Sequence, residues 1–235
     1  MGKESDMSDS FDPIDPFPDY DAHVKPIVLS LHDRATLPTI SVAADSCEQS
    51  DLWIHIYDRV CSPEICKMIR DELDEAPFRS KFEEPWRRCH MVEPRGVALE
   101  AITQAVRMCF DRYRLETQCN SLNHIRRMEV PNVYRYDHVD EGGVHHFHLH
   151  ADAWSDESIS RQLSLILYLN DVELGETRFA RPERSIEPRE GRMLLFPSTF
   201  AYEHEGRPPI SGPKYVVVTW LHLGEGPHKY RTLPF

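Results

Sequence analysis

Between positions 52 and 60 the residues LWIHIYDRV alternate with the two-residue period of a strand. Trp53, His55 and Tyr57 fall on one face, and Ile54 and Ile56 on the other. The period changes at Ser62-Pro63. A serine there can accept from the unpaired amides of a helix start, and proline fits the first helical position. Ile65, Met68, Ile69 and Leu73 then line one face of the predicted helix. A second helix is predicted from about Val97 to Arg114, with Leu99, Ile102, Val106, Phe110 and Tyr113 as its buried stripe.

After about residue 128 the texture becomes strand and turn. Leu163, Leu165, Leu167 and Leu169 alternate with Ser164, Ile166 and Tyr168, and Asn170-Asp171 closes this well-buried strand. TRFA, RMLLF and KYVVVTWLHL are further strands, separated by Leu174-Gly175-Glu176, by Pro188 to Gly191, and by the loop from Pro208 to Pro213. Two helices followed by many short strands predict a mainly β, α+β fold: a sheet sandwich or jelly roll with helices packed on its outside. No internal repeat is present.

The length of 235 residues suits one sizeable domain with a single core. No run of eighteen apolar residues occurs, so a membrane-spanning helix is not expected. The opening MGKESDMSDSFDPIDPFPDYD is acidic and proline-rich, without the apolar stretch of a secretory signal, so a cytoplasmic protein is expected. Residues 1–22 read as a disordered tail, 23–51 as an extension and 52–235 as the domain, with its jelly-roll core at about 126–224. Six cysteines without a CxxC pair predict ordinary thiols and neither a disulfide framework nor a zinc ribbon. A net charge of −12 argues against a general nucleic-acid binder, yet leaves room for a local basic pocket that takes a carboxylate.

Chemistry concentrates in HHFHLHAD, residues 145–152. His150-Ala151-Asp152 at a strand end can aim an imidazole and a carboxylate at one point, as two corners of a metal's coordination sphere. A second His-x-Asp, His138-Val139-Asp140, competes with it. Further on, His204 follows the strand RMLLF, and Lys214 stands ten residues beyond His204. Two histidines and one carboxylate on one face of iron leave three positions open, enough for a bidentate 2-oxo acid and dioxygen. A cation then suits the far carboxylate of such an acid.

With VYRY, HAD, LSLILYLNDVELGETRF, GRMLLFPS, His204, SGPKY and TWLH in this order, the chain resembles the prolyl 4-hydroxylase-like branch of the iron(II)/2-oxoglutarate oxygenases over about residues 52–224. The resemblance implies a double-stranded β-helix, the jelly roll of that family. It implies iron(II) on His150, Asp152 and His204, with 2-oxoglutarate and dioxygen as co-substrates and ascorbate as a further candidate cofactor. Tyr136 would hydrogen-bond the C5 carboxylate of 2-oxoglutarate beside Lys214, with Thr177 and Trp220 as pocket walls. Most relatives have Arg where Lys214 stands. Chain order favours His150 over His138, because the Arg-Tyr strand ends only two residues before His138. Strand alternation would also put His146 and His148 on the face of His150, which makes them rival ligands. His145, His146 and His148 read as solvated or supporting histidines. The implied activity is hydroxylation of an unactivated C–H bond, coupled to decarboxylation of 2-oxoglutarate to succinate. Asp152 matters to that expectation, since related halogenases have Gly or Ala there to make room for chloride. The substrate would be a small molecule, an amino acid or a peptidyl proline. A non-catalytic jelly-roll binding protein and a zinc hydrolase on a related barrel are the competing readings.

Overall fold

The computed structural model describes residues 53–76, 80–138, 144–224 and 230–235. The predicted tail and extension, and Asp140 of the rival His-x-Asp pair, lie outside the described residues.

Among the described residues, thirteen strands and two α-helices form the fold. In chain order they are β1 (His55–Tyr57), α1 (Pro63–Glu75), β2 (Ser80–Glu84), β3 (Arg87–Val92), α2 (Gly96–Thr117), β4 (Ile125–Glu129), β5 (Asn132–Tyr136) and β6 (His146–His150). These continue with β7 (Arg161–Tyr168), β8 (Thr177–Phe179), β9 (Arg184–Ile186), β10 (Met193–Pro197), β11 (His204–Gly206), β12 (Lys214–Leu223) and β13 (Thr232–Pro234). Every pairing is antiparallel, and the main path runs β1-β10-β7-β12-β5-β3-β6-β11-β8-β9.

That path curls on itself. β8 and β10 are far apart along it, yet Phe179 meets Phe196 edge to face at 4.9 Å between centroids. Likewise the Tyr168 hydroxyl of β7 donates to Thr177 Oγ1 of β8 at 2.6 Å. The antiparallel sheet is therefore a jelly roll with an interior of its own. Ile54, Tyr134, Tyr136, Ile166, Tyr168, Phe179, Leu194, Phe196 and Val216 fill that interior. The opposite face of the same strands carries Leu163, Leu165, Leu167, Met193, Leu195 and Val217, which pack against the helices. Each long strand is thus buried on both faces, which is why its sequence reads as a nearly continuous apolar run.

The helices follow from their sequence signals. Ser62 caps α1 by accepting from Ile65 N, Pro63 stands at the first position, and Ile65, Ile69 and Leu73 are buried. Helix α2 buries Ile102, Val106, Phe110 and Tyr113, and Gln118 in the left-handed region ends it. The predicted strand at 52–60 shortens to β1. Its two faces are as expected: Tyr57 joins the helix-side core, and Ile54 and Ile56 join the interior. The β2–β3 hairpin was not predicted. It sits between β5 and β6 and forms one wall of the interior's open end.

Candidate metal centre and active site

Strand β6 ends at His150, and β11 begins at His204, its direct partner in the antiparallel register. Two imidazoles therefore meet side by side, 4.5 Å between ring centroids. Asp152, just past the end of β6, brings a carboxylate to the same point. Its Oδ1 is 3.4 Å from His150 Nε2, and its Oδ2 is 3.7 Å from His204 Nε2. Ligand atoms on one face of an octahedral ion with bonds of about 2.1 Å stand about 3 Å apart, so a small closure completes the set.

The tautomers suit ligation. His150 Nδ1 faces the carbonyl of His148 at 2.7 Å, and His204 Nδ1 faces that of Tyr202 at 3.2 Å. A carbonyl can only accept, so each Nδ1 carries the proton and each Nε2 keeps its lone pair for a metal. Phe147 stacks on His150 at 3.8 Å, and Phe196 meets His204 edge-on at 4.7 Å, which fixes both rings. Burial pulls His204 down to about 4, so it is a neutral imidazole at neutral pH. Burial opposes ionisation of Asp152, but the facing His204 and His150 and the Ser164 hydroxyl outweigh it and hold the carboxyl well below the usual range. Ser164 donates to Oδ2 and also contacts Ser198 at 2.8 Å.

A cavity of about 1140 Å³ contains this cluster, together with Tyr136, Thr177, Lys214 and Trp220. Lys214 pairs with Tyr136 in the β12–β5 register and is 2% exposed. Its ammonium donates to the carbonyls of Gly175 at 2.7 Å and Arg207 at 3.0 Å, and lies 4.8 Å over the Tyr136 ring. Burial lowers its pKa to about 7. Tyr136 packs with Cys89 in the interior cluster, and it is the ring of Tyr136 that meets Lys214. Thr177 accepts from Tyr168. Trp220 has a buried indole N–H with no partner among the described residues.

His146 and His148 do not join the cluster of His150, Asp152 and His204. From Gly206 to His204 is two residues on β11, whereas their partners Phe147 and His150 are three apart on β6. That bulge breaks the alternation assumed from sequence. Phe147 therefore stacks on His150, while His146 and His148 stack on each other at 4.2 Å. His138 bonds to the carbonyl of Pro209 through Nδ1.

Sequence reasoning passed over a second buried network. Arg161 forks onto Glu129 at 2.6 and 2.9 Å, and His222 Nε2 reaches Glu129 Oε1 at 2.8 Å. Arg161 also donates to the Asp152 carbonyl at 3.2 Å and stacks 3.7 Å over Trp220. Polar Arg161, Ser164 and His222 within apolar strands were the available signal.

A curled antiparallel jelly roll with two histidines and a carboxylate at one end of its interior defines the class of non-haem metal oxygenases. Residues 131–222, which hold His150, Asp152, His204 and Lys214, match the family model described as the 2OG-Fe(II) oxygenase superfamily, so this segment carries an oxygenase domain. Comparison with curated proteins found no match. Among solved structures, the chain is similar to the viral collagen prolyl hydroxylase of Paramecium Bursaria Chlorella virus-1, with TM-score 0.56 and 19% identity over 73% of this chain and 97% of that one. A Pseudomonas putida prolyl-4-hydroxylase gives TM-score 0.53 and 18% identity over 73% and 93%. A Trichoplax adhaerens prolyl hydroxylase, solved with a hypoxia inducible factor oxygen degradation domain peptide fragment, gives 0.55 and 17% over 72% and 83%. At these identities the likeness to solved structures carries the fold.

Proposed function

We propose that the chain hydroxylates an unactivated C–H bond, coupled to decarboxylation of 2-oxoglutarate to succinate, with iron(II) held by His150, Asp152 and His204. The substrate is a small molecule, an amino acid or a peptidyl proline. The observation that carries this reading is the convergence of two Nε2 lone pairs and a buried carboxylate in the cavity that also holds the Lys214 ammonium. Iron(II) with 2-oxoglutarate supplies the oxidising chemistry when bound.

The protein's own part is positioning. Carbonyl oxygens of His148 and Tyr202 hold each imidazole in the ligating tautomer. Ser164 orients one Asp152 oxygen, and Arg161 holds the Asp152 backbone. Lys214 gives a distal carboxylate a cation in a setting of low dielectric, where the pair is stronger than in water. Thr177 and Trp220 wall the same cavity. The partnerless Trp220 N–H adds a donor for a bound acceptor. Ascorbate, as a reductant that keeps iron in its ferrous state, fits the same reading.

Formation of succinate from 2-oxoglutarate, dependent on iron(II) and oxygen, tests it. The Asp152→Ala variant should lose that turnover by at least about a hundredfold, as expected for removal of a metal ligand. Full turnover in the variant, or turnover without oxygen, would overturn the assignment.

A further inference from the structure

We infer that Arg87 is the substrate-recognition residue of this site and that the substrate is a small molecule carrying a carboxylate on an apolar body. This rests on the function proposed above and narrows its substrate class.

Three cations line the cavity: Arg87, Arg161 and Lys214. Arg161 is neutralised by the two-pronged bond to Glu129. Lys214 lies deep, held by two carbonyls, and is assigned to 2-oxoglutarate. Neither Arg87 nor Lys214 has a carboxylate at ion-pair distance among the described residues, but Lys214 is held by its two carbonyls, whereas the buried Nε of Arg87 has no hydrogen-bond partner among them. The other cavity carboxylates, Asp152 and Glu203, do not pair with it. Glu84, directly opposite in the β2–β3 hairpin, does not reach it either. An unpaired buried N–H is costly, and Arg87 lines the cavity, so a ligand that draws its guanidinium into hydrogen bonds would offset that cost.

The setting of Arg87 selects for a planar anion. Its guanidinium lies 3.7 Å over Phe82, 4.8 Å from the Trp86 ring and 5.5 Å from that of Phe147. These rings stack against the guanidinium, and a planar fork is the shape that matches a carboxylate's two oxygens. Trp220 offers the cavity a second N–H without a partner. Glu84 Oε2, opposite Arg87 in the hairpin, is a buried acceptor without a partner but does not line the cavity; the two such groups that do line it are donors, so the ligand that suits them is an acceptor. The apolar body follows from the rim, where Trp86, Leu149, Trp154 and Phe200 stand 48%, 48%, 78% and 83% exposed.

Phenylacetate and phenylacetamide test this, because they share a shape and differ in charge. Calorimetry measures their binding to the anaerobic protein loaded with iron(II) and 2-oxoglutarate, in wild type, Arg87→Gln and Arg87→Lys. Wild type should bind phenylacetate about ten- to a hundredfold more tightly than the amide, the worth of one charge-assisted hydrogen bond. Arg87→Gln should abolish that preference with 2-oxoglutarate affinity unchanged, and Arg87→Lys should retain part of it. Equal binding of the two probes, no binding of phenylacetate, or a preference that survives Arg87→Gln would overturn the inference. If Glu84 were the true partner, Arg87→Gln would lower unfolding stability and leave probe binding unmoved. Failure of wild type to bind 2-oxoglutarate would count against the proposed function instead, since the probe preference is read separately.

Discussion

Lys214 is a cation enclosed by two carbonyl oxygens and the face of Tyr136, and burial brings its pKa down from 10.5 to about 7. In the unfolded chain it would titrate near its ordinary value. Between about 7 and 10.5 the unfolded state therefore holds a proton that the free folded state lacks, and stability from this group rises with pH across that window. A distal carboxylate reverses the preference by favouring the ammonium. Binding of 2-oxoglutarate above pH 7 should accordingly take up a proton, and its affinity should fall as pH rises. Calorimetry in two buffers of different ionisation enthalpy reads the uptake. Lys214→Arg, which stays charged, should remove both the uptake and the pH dependence. The position of Lys214 was legible in the sequence because it lies ten residues from His204 on the neighbouring segment. The packing of Tyr136 with Cys89 was not legible, since those residues meet only when β3 and β5 pair.

Turns and bulges decide where these side chains arrive. The bulge at β6 and β11 is a pairing property of two strands, so a one-strand pattern could not show that His146 and His148 stay out of the cluster formed by His150, Asp152 and His204. The β2–β3 hairpin escaped for a different reason. Its sequence, SKFEEPWRRCHMV, is charged and does not alternate, because it bends over the mouth of the interior instead of crossing the core. The segment Leu174-Gly175-Glu176 was read as a turn, and the structure adds its purpose. Gly175 has φ +77°, a conformation that L side chains rarely adopt, and its carbonyl accepts from Lys214. A Cβ there would stand 3.2 Å from Val172 Cγ2 and 3.3 Å from Lys214 Cδ. Gly175→Ala should thus cost about 1–3 kcal/mol in urea unfolding. It should also weaken 2-oxoglutarate binding, because the strain is released by moving the lysine. A variant destabilised to that degree with unaltered 2-oxoglutarate affinity would separate the turn from the site.

The described domain has two apolar faces on one sheet, and they do different work. The helix-side core, closed by α1 and α2, is almost wholly apolar and supplies the larger share of burial. The interior also encloses Asp152, His204, Lys214 and the Arg161–Glu129 pair. Of these, only the last pair is self-compensating; Asp152 and Lys214 are buried charges whose best partners are a metal ion and an anionic co-substrate. The strong apolar periods and spaced motifs of residues 128–224 made this half readable, whereas its cost shows only in three dimensions. Folding and loading should therefore be linked. A redox-inert divalent ion such as Mn(II), with 2-oxoglutarate, at about a hundred times Kd adds about 2.7 kcal/mol, which for a chain of this length raises Tm by about 5–10 °C. Chelation should return Tm to the lower value. Asp152→Ala should keep a melting transition in the absence of metal and lose the metal-dependent rise, because removing the carboxylate removes both the buried charge and the ion that balances it. An Mn(II)-dependent rise preserved in that variant would mean that the stabilising ion sits elsewhere in the molecule.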